Sequence, residues 1–160
     1  MKKAKLIIMV GLPFSGKTTR AKELAIEFNA IRLNIDEWHI KIFGDDAHDP
    51  NHTERHSKIG GIIESLAFEL LAKGTNVVLD FGFWAKVERD DLRKKAEENG
   101  HDFAMYFCEC PEDELEKRIE IRNKENAENG KCGSFVIPLY MYKDFVKLFQ
   151  KPTADEDFFT

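Results

Sequence analysis

The run Gly11-Leu12-Pro13-Phe14-Ser15-Gly16-Lys17-Thr18 satisfies the pattern G-x-x-x-x-G-K-[ST], and each fixed residue type in it suits the binding of a polyphosphate. Glycines let the backbone curl so that successive amide hydrogens converge on phosphate oxygens at a helix N-terminus. Lys17 can reach the β and γ phosphates. Thr18 can place its hydroxyl on magnesium, which keeps several waters and takes few protein ligands. The motif therefore assigns Gly11, Pro13, Phe14, Ser15, Gly16, Lys17, Thr18 and Thr19 to ATP, with Thr19 supporting the helix N-terminus more than the chemistry.

Further chemistry follows along the chain. Asn34-Ile35-Asp36-Glu37-Trp38-His39 comes after a short apolar segment and puts Asp36 where a carboxylate could take a proton from an attacking hydroxyl or organise magnesium. The alternative is a helix cap, for which Asn34 is a rival. Asp80 closes the run Val77-Val78-Leu79, the position of a Walker B carboxylate that binds magnesium directly or through water; it too could be a cap, ahead of Gly82. Phe81, Phe83 and Trp84 either line an acceptor pocket or pack. Arg118 and Arg122 are four apart and share a helix face, from which they could reach transferring phosphates, or pair with Glu114, Glu116 and Glu120 on a solvated surface.

These residues need a scaffold, and the hydrophobic pattern supplies one. Apolar runs at 4–10, 30–34, 76–80 and 103–108 read as strands. Helical spacing covers 16–29, 36–43, 59–73, 86–99, 111–123 and 138–149, with Gly74 and Gly100 as C-terminal caps and Pro111 in a first turn. Residues 44–52 read as loop, and 124–134 as a polar, mobile loop. The segment after Pro152 can dock or fray. Strands alternating with helices predict a three-layer α/β/α P-loop NTPase fold with a mainly parallel sheet and a small helical lid around 118–137. One domain over residues 1–160 is expected.

Composition narrows the class. With 42% hydrophobic and 33% charged residues the chain reads as globular, and a net charge of −5 gives no general attraction to nucleic acid. The longest apolar run, at 6–10, falls far short of the roughly 18 residues that span a bilayer. No membrane segment or signal peptide is expected, and the odd set Cys108, Cys110 and Cys132 suits a reducing cytoplasm. His48, His52 and His56, spaced by four, could hold zinc on one continuous helix, but Pro50 argues against that helix and favours a solvated or substrate-contacting loop. The three cysteines are discounted as zinc ligands.

GLPFSGKTT at 11–19, NIDEW at 34–38, VVLDFGFW at 77–84 and RIEIRN at 118–123 resemble the small P-loop kinases related to polynucleotide kinase, chloramphenicol phosphotransferase and zeta toxin, over nearly the whole chain. The match is closest to a bacterial group usually described only as ATP-binding proteins. The resemblance implies an ATP-dependent phosphotransferase, with Lys17 and Thr18 on the nucleotide, Asp36 as the acceptor-activating aspartate, and Arg118 or Arg122 as lid arginines. The polynucleotide kinases carry an arginine three residues after that aspartate to hold the acceptor; this chain has His39 there, which weakens a nucleic-acid substrate. Near the end the group often shows Phe-Glu-x-Pro, and this chain has Phe149-Gln150-Lys151-Pro152. The expectation is a kinase that moves the γ phosphate of ATP, with magnesium, to a hydroxyl of a small-molecule or nucleotide-like acceptor. A nucleotide-dependent switch read by a protein partner, and a polynucleotide 5′-hydroxyl kinase, are the rival readings.

Overall fold

Four apolar runs pair side by side in the computed structural model, which describes residues 3–129 and 135–160. The strands are β1 (Lys5–Val10), β2 (Ala30–Asn34), β3 (Asn76–Asp80) and β4 (Asp102–Phe107), all parallel in the order β2-β3-β1-β4. β1 is central. Its Leu6 to Val10 stretch is fully buried, as a strand covered on both faces requires. Leu6, Ile8 and Val10 point into one core with Ile59, Ile63, Ala67 and Leu71 of helix α3 (His52–Ala72) and Leu92 and Ala96 of α4 (Lys86–Glu98). Ile7 and Met9 point the other way, onto Ala21 and Leu24 of α1 (Lys17–Glu27). Period-two alternation in the strands thus builds an α/β fold with helices on both faces.

The remaining helices gather at the carboxyl ends of the strands. α2 (Ile35–Phe43) follows β2 without a gap, because Asn34 caps it: the Asn34 side-chain oxygen Oδ1 accepts the Glu37 N–H at 2.8 Å. α5 (Glu112–Asn129) and α6 (Leu139–Leu148) pack through Leu115, Ile119 and Tyr142, and the same small core takes in Leu12 and Phe14 of the glycine-rich loop.

Two boundaries differ from the sequence reading. α3 begins at His52, seven residues before the expected start, because its first two turns are polar and carry no apolar period; they are held by histidine and arginine contacts instead. α5 runs on to Asn129, through part of the expected loop, where Lys124 and Glu128 form a one-turn pair at 4.0 Å. Residues 130–134 of the expected lid, with Cys132, lie outside the described residues.

The segment after α6 docks. Glu156 accepts two bonds from the buried Arg89 guanidinium, at 2.7 and 2.8 Å. Phe158 packs on the main core, and Phe159 pairs with β4: its carbonyl accepts from Phe107 N–H at 2.8 Å and its own N–H donates to Met105 at 2.9 Å. Among the described residues no helix is long and apolar enough to cross a membrane.

Candidate active site

The glycine-rich loop leaves β1 at Gly11 and enters α1 at Lys17, so Pro13, Phe14, Ser15 and Gly16 curl over the carboxyl edge of the central strand. Gly11 has φ +151°, and a β-carbon there would sit 2.6 Å from the Cys108 carbonyl and 2.7 Å from Ser15 Oγ, so only glycine fits. Gly16 has φ +96° and serves as the cap of α1, where no side chain satisfies the first N–H groups. Phe14 also takes a positive φ, of 65°. The loop is tied down by Trp84, whose indole N–H donates to Gly11 O at 3.2 Å, and by Gly11 N–H bonding Gly82 O at 3.3 Å. Phe81 and Phe83 stack on each other and pack against the core, so those two aromatics are packing residues here.

Around this loop stand the charged groups. Lys17 donates to Leu12 O at 2.5 Å, and burial lowers its pKa to about 8 while Asp80 and Asp36 pull it back up. Thr18 and Thr19 begin α1 with exposed side chains, and Thr18 Oγ1 lies 3.4 Å from Asp80 Oδ1. Asp80 is buried, and its Oδ2 accepts from Arg32 at 2.7 Å and Asn34 at 2.9 Å. Arg32 also grips Glu37 at 2.7 and 2.8 Å. Asp80 is therefore held through one oxygen and presents the other to Thr18. That restraint by Arg32 and Asn34 was invisible to motif reasoning.

Asp36 sits in the first turn of α2, with Asn34 rather than Asp36 as its cap. Desolvation raises its pKa, Lys17 lowers it and Asp80 raises it, so the three groups share one electrostatic neighbourhood. His56 Nε2 approaches its Oδ1 at 3.7 Å. Arg118 donates to the Phe14 carbonyl at 3.1 Å while pairing with Glu114, and Arg122 lies over the Phe14 ring at 5.9 Å. Both arginines reach the phosphate loop. His39, at the place of the acceptor-holding arginine, is fully buried and bonded to Asp46.

Ser15 Oγ offers a test of fit for a polyphosphate. It is buried with no partner among the described residues, beside a glycine cradle, uncapped helix N–H groups and the partly buried Lys17 ammonium. Such a donor set matches a phosphate chain.

The family profile described as an AAA domain matches residues 6–133. No curated protein matches the chain. Among solved structures it is similar to a chain of the Pnkp1/Rnl/Hen1 RNA repair complex, at 30% identity and a TM-score of 0.71, covering 92% of this chain and 44% of that one. It thus spans less than half the length of that relative. A gluconokinase from Sinorhizobium meliloti shares 20% identity with a TM-score of 0.65, over 97% of this chain and 80% of its own. Chaetomium thermophilum Kti12 in complex with ADP-AlF3 shares 18% identity with a TM-score of 0.70, over 92% and 81%. A phosphate loop between the first strand and first helix, a parallel sheet and a profile match over most of its length place this chain in the AAA-domain family, with a P-loop fold.

Proposed function

We propose that the chain is a cytoplasmic kinase that transfers the γ phosphate of ATP to a hydroxyl of a small-molecule acceptor, with magnesium. The observation that carries this reading is the convergence of Lys17, Asp36 and Asp80 at the carboxyl edge of β1, β2 and β3, where parallel sheets bind ligands. In this reading Gly11, Pro13, Phe14, Ser15, Gly16 and Thr19 shape the nucleotide cradle. Thr18 and Asp80 Oδ1, 3.4 Å apart, are the groups that would hold magnesium, which when bound neutralises phosphate charge.

Asp36 is then left for the acceptor. Its carboxyl, raised in pKa by desolvation, serves as a general base that takes the proton from the acceptor hydroxyl. Lys17 positions the phosphoryl group, and phosphate oxygens beside its ammonium would raise again the pKa that burial lowers to about 8. Arg118 and Arg122, already on Phe14, stabilise charge on the transferring group. Residues 118–137 act as a lid over one catalytic domain. A nucleic-acid acceptor fits less well: the net charge is −5, and the residue in the arginine's place is buried and bonded to Asp46.

The test is incubation with magnesium and γ-labelled ATP plus a panel of nucleosides, oligonucleotides, sugars and antibiotics. Label should appear in one acceptor class and fall at least ~100-fold in Asp36→Asn, with nucleotide affinity retained. Label released only as inorganic phosphate, unchanged in Asp36→Asn, would replace the kinase with a nucleotide-dependent switch.

A further inference from the structure

Behind Asp36, side chains that phosphate binding does not use meet at one point. His39 comes from α2 and is fully buried. Asp46 comes from the loop that follows, and His52, Arg55 and His56 from the first turns of α3. Asp46 Oδ1 lies 2.6 Å from His39 Nε2 and 2.7 Å from His52 Nδ1, while Asp46 Oδ2 accepts from Arg55 at 2.8 Å. The three converging donor atoms all lie within 4.8 Å of one another. Phe135 closes the cluster, edge-on to His39 at 5.3 Å and His52 at 5.0 Å.

We propose that His39, Asp46 and His52 form a binding site for one divalent transition-metal ion of the zinc class. Two imidazole nitrogens and one carboxylate oxygen suit zinc, cobalt or nickel rather than magnesium, which prefers oxygen alone. The magnesium site proposed at Thr18 and Asp80 is therefore a different site with different chemistry. With metal–ligand bonds of about 2.0–2.2 Å, tetrahedral donors sit roughly 3.3 Å apart, so the Asp46 pairs need to open by about 0.6 Å. The two histidine nitrogens, within 4.8 Å of each other, must settle at the same spacing, so both the carboxylate and the imidazoles adjust on binding. Arg55 stays on the other oxygen and keeps Asp46 monodentate, and Asp49, 3.3 Å from Arg55, offsets its charge.

The protons can be followed. Asp46 only accepts, so without metal His39 donates from Nε2 and its Nδ1 accepts from His56 Nδ1, 3.2 Å away. A metal on His39 Nε2 moves that proton to Nδ1, which then donates to His56 Nδ1, and the His56 proton moves to Nε2. His52, which without metal donates from Nδ1 to Asp46, likewise shifts its proton to Nε2 when Nδ1 takes the metal. Both states hold the same number of protons. In the bound state His56 is the outer partner that orients a ligating histidine, and it offers Asp36 an N–H in place of a lone pair. Only that last link rests on the proposed role of Asp36.

The experiment titrates the chelator-stripped full chain with Co2+ in excess Mg2+, reading the visible ligand-field absorption, then displaces Co2+ with Zn2+. One Co2+ per chain is expected. The band should vanish in His52→Ala, weaken ~10–100-fold in affinity in His56→Phe, and persist in Lys17→Ala. His52 is partly exposed at a helix start, so its variant avoids the folding risk of replacing buried His39, and circular dichroism checks it. No band at millimolar Co2+, or a band untouched by His52→Ala, overturns the proposal and leaves the cluster a hydrogen-bonded latch. Thiolate charge-transfer absorption would move binding to the cysteines and overturn it equally. No arm needs ATP or an acceptor, so this result stands apart from the kinase reading.

Discussion

Replacing Lys17 by methionine should stabilise the fold while destroying nucleotide binding. The ammonium is held among protein atoms at a cost, visible as a pKa lowered from 10.5 to about 8. Each pKa unit corresponds to about 1.4 kcal/mol, so the cost at neutral pH is at most about 3.5 kcal/mol, and about 2 kcal/mol once solvent reaching the partly exposed chain is allowed for. Methionine keeps the length and apolar stem without the charge. The sign follows from proton counting: between pH 8 and 10.5 the unfolded chain holds the lysine proton and the folded chain has released it, so wild-type stability rises with pH across that window. The penalty is fully present below pH 8. Urea unfolding of both proteins at pH 7 and pH 10 measures this. Lys17→Met should exceed wild type by about 2 kcal/mol at pH 7, with the gap narrowing at pH 10. A less stable variant at pH 7, or a gap that does not narrow, would refute the reasoning.

Arg89→Met leaves the Glu156 carboxylate buried without its partner and frees the Phe83 and Trp84 carbonyls that Arg89 also bonds, at 3.0 and 3.1 Å. Urea unfolding should show a loss of about 3–5 kcal/mol. Gly11→Ala forces a β-carbon against the Cys108 carbonyl and Ser15 Oγ at a positive φ; equilibrium binding of Mg-ATP should weaken more than tenfold, with about 1–3 kcal/mol of strain in unfolding. Gly61→Ala, where nothing lies within 4 Å in the middle of α3, should instead stabilise by about 1 kcal/mol and leave binding unchanged.

The strands and the phosphate loop were legible because both are local. A buried parallel strand is a continuous apolar run, and the loop is a fixed spacing of residue types. The company Asp80 keeps was not legible. Arg32 sits on β2 one residue before Leu33, and nothing in the local pattern tells that β2 lies beside β3, with Asn34 in register with Asp80. Adjacency of strands is a tertiary fact. The start of α3 was missed for a related reason: residues 52–58 carry no apolar stripe, and their histidines and arginine face α2 rather than water. Pro50 was read as breaking a helix through all three histidines. It does lie outside α3, but His52 and His56 fall inside, and their companion is His39 from another helix rather than His48. Asp36 was placed at the strand edge correctly in chain terms, with Asn34 taking the capping role.

The clasp between Phe159 and β4 bears on how the chain is made. Synthesis delivers residues 102–107 well before residues 156–159, so on the ribosome β4 displays an unpaired row of N–H and C=O groups and Arg89 waits without a counter-ion. An open strand edge is a template for pairing with another chain. Contacts this distant in sequence form late, which leaves the nascent sheet exposed longest on the β4 side. Truncation before residue 156 would fix the protein in that state, producing a chain with its phosphate loop complete but prone to stack edge to edge with its copies.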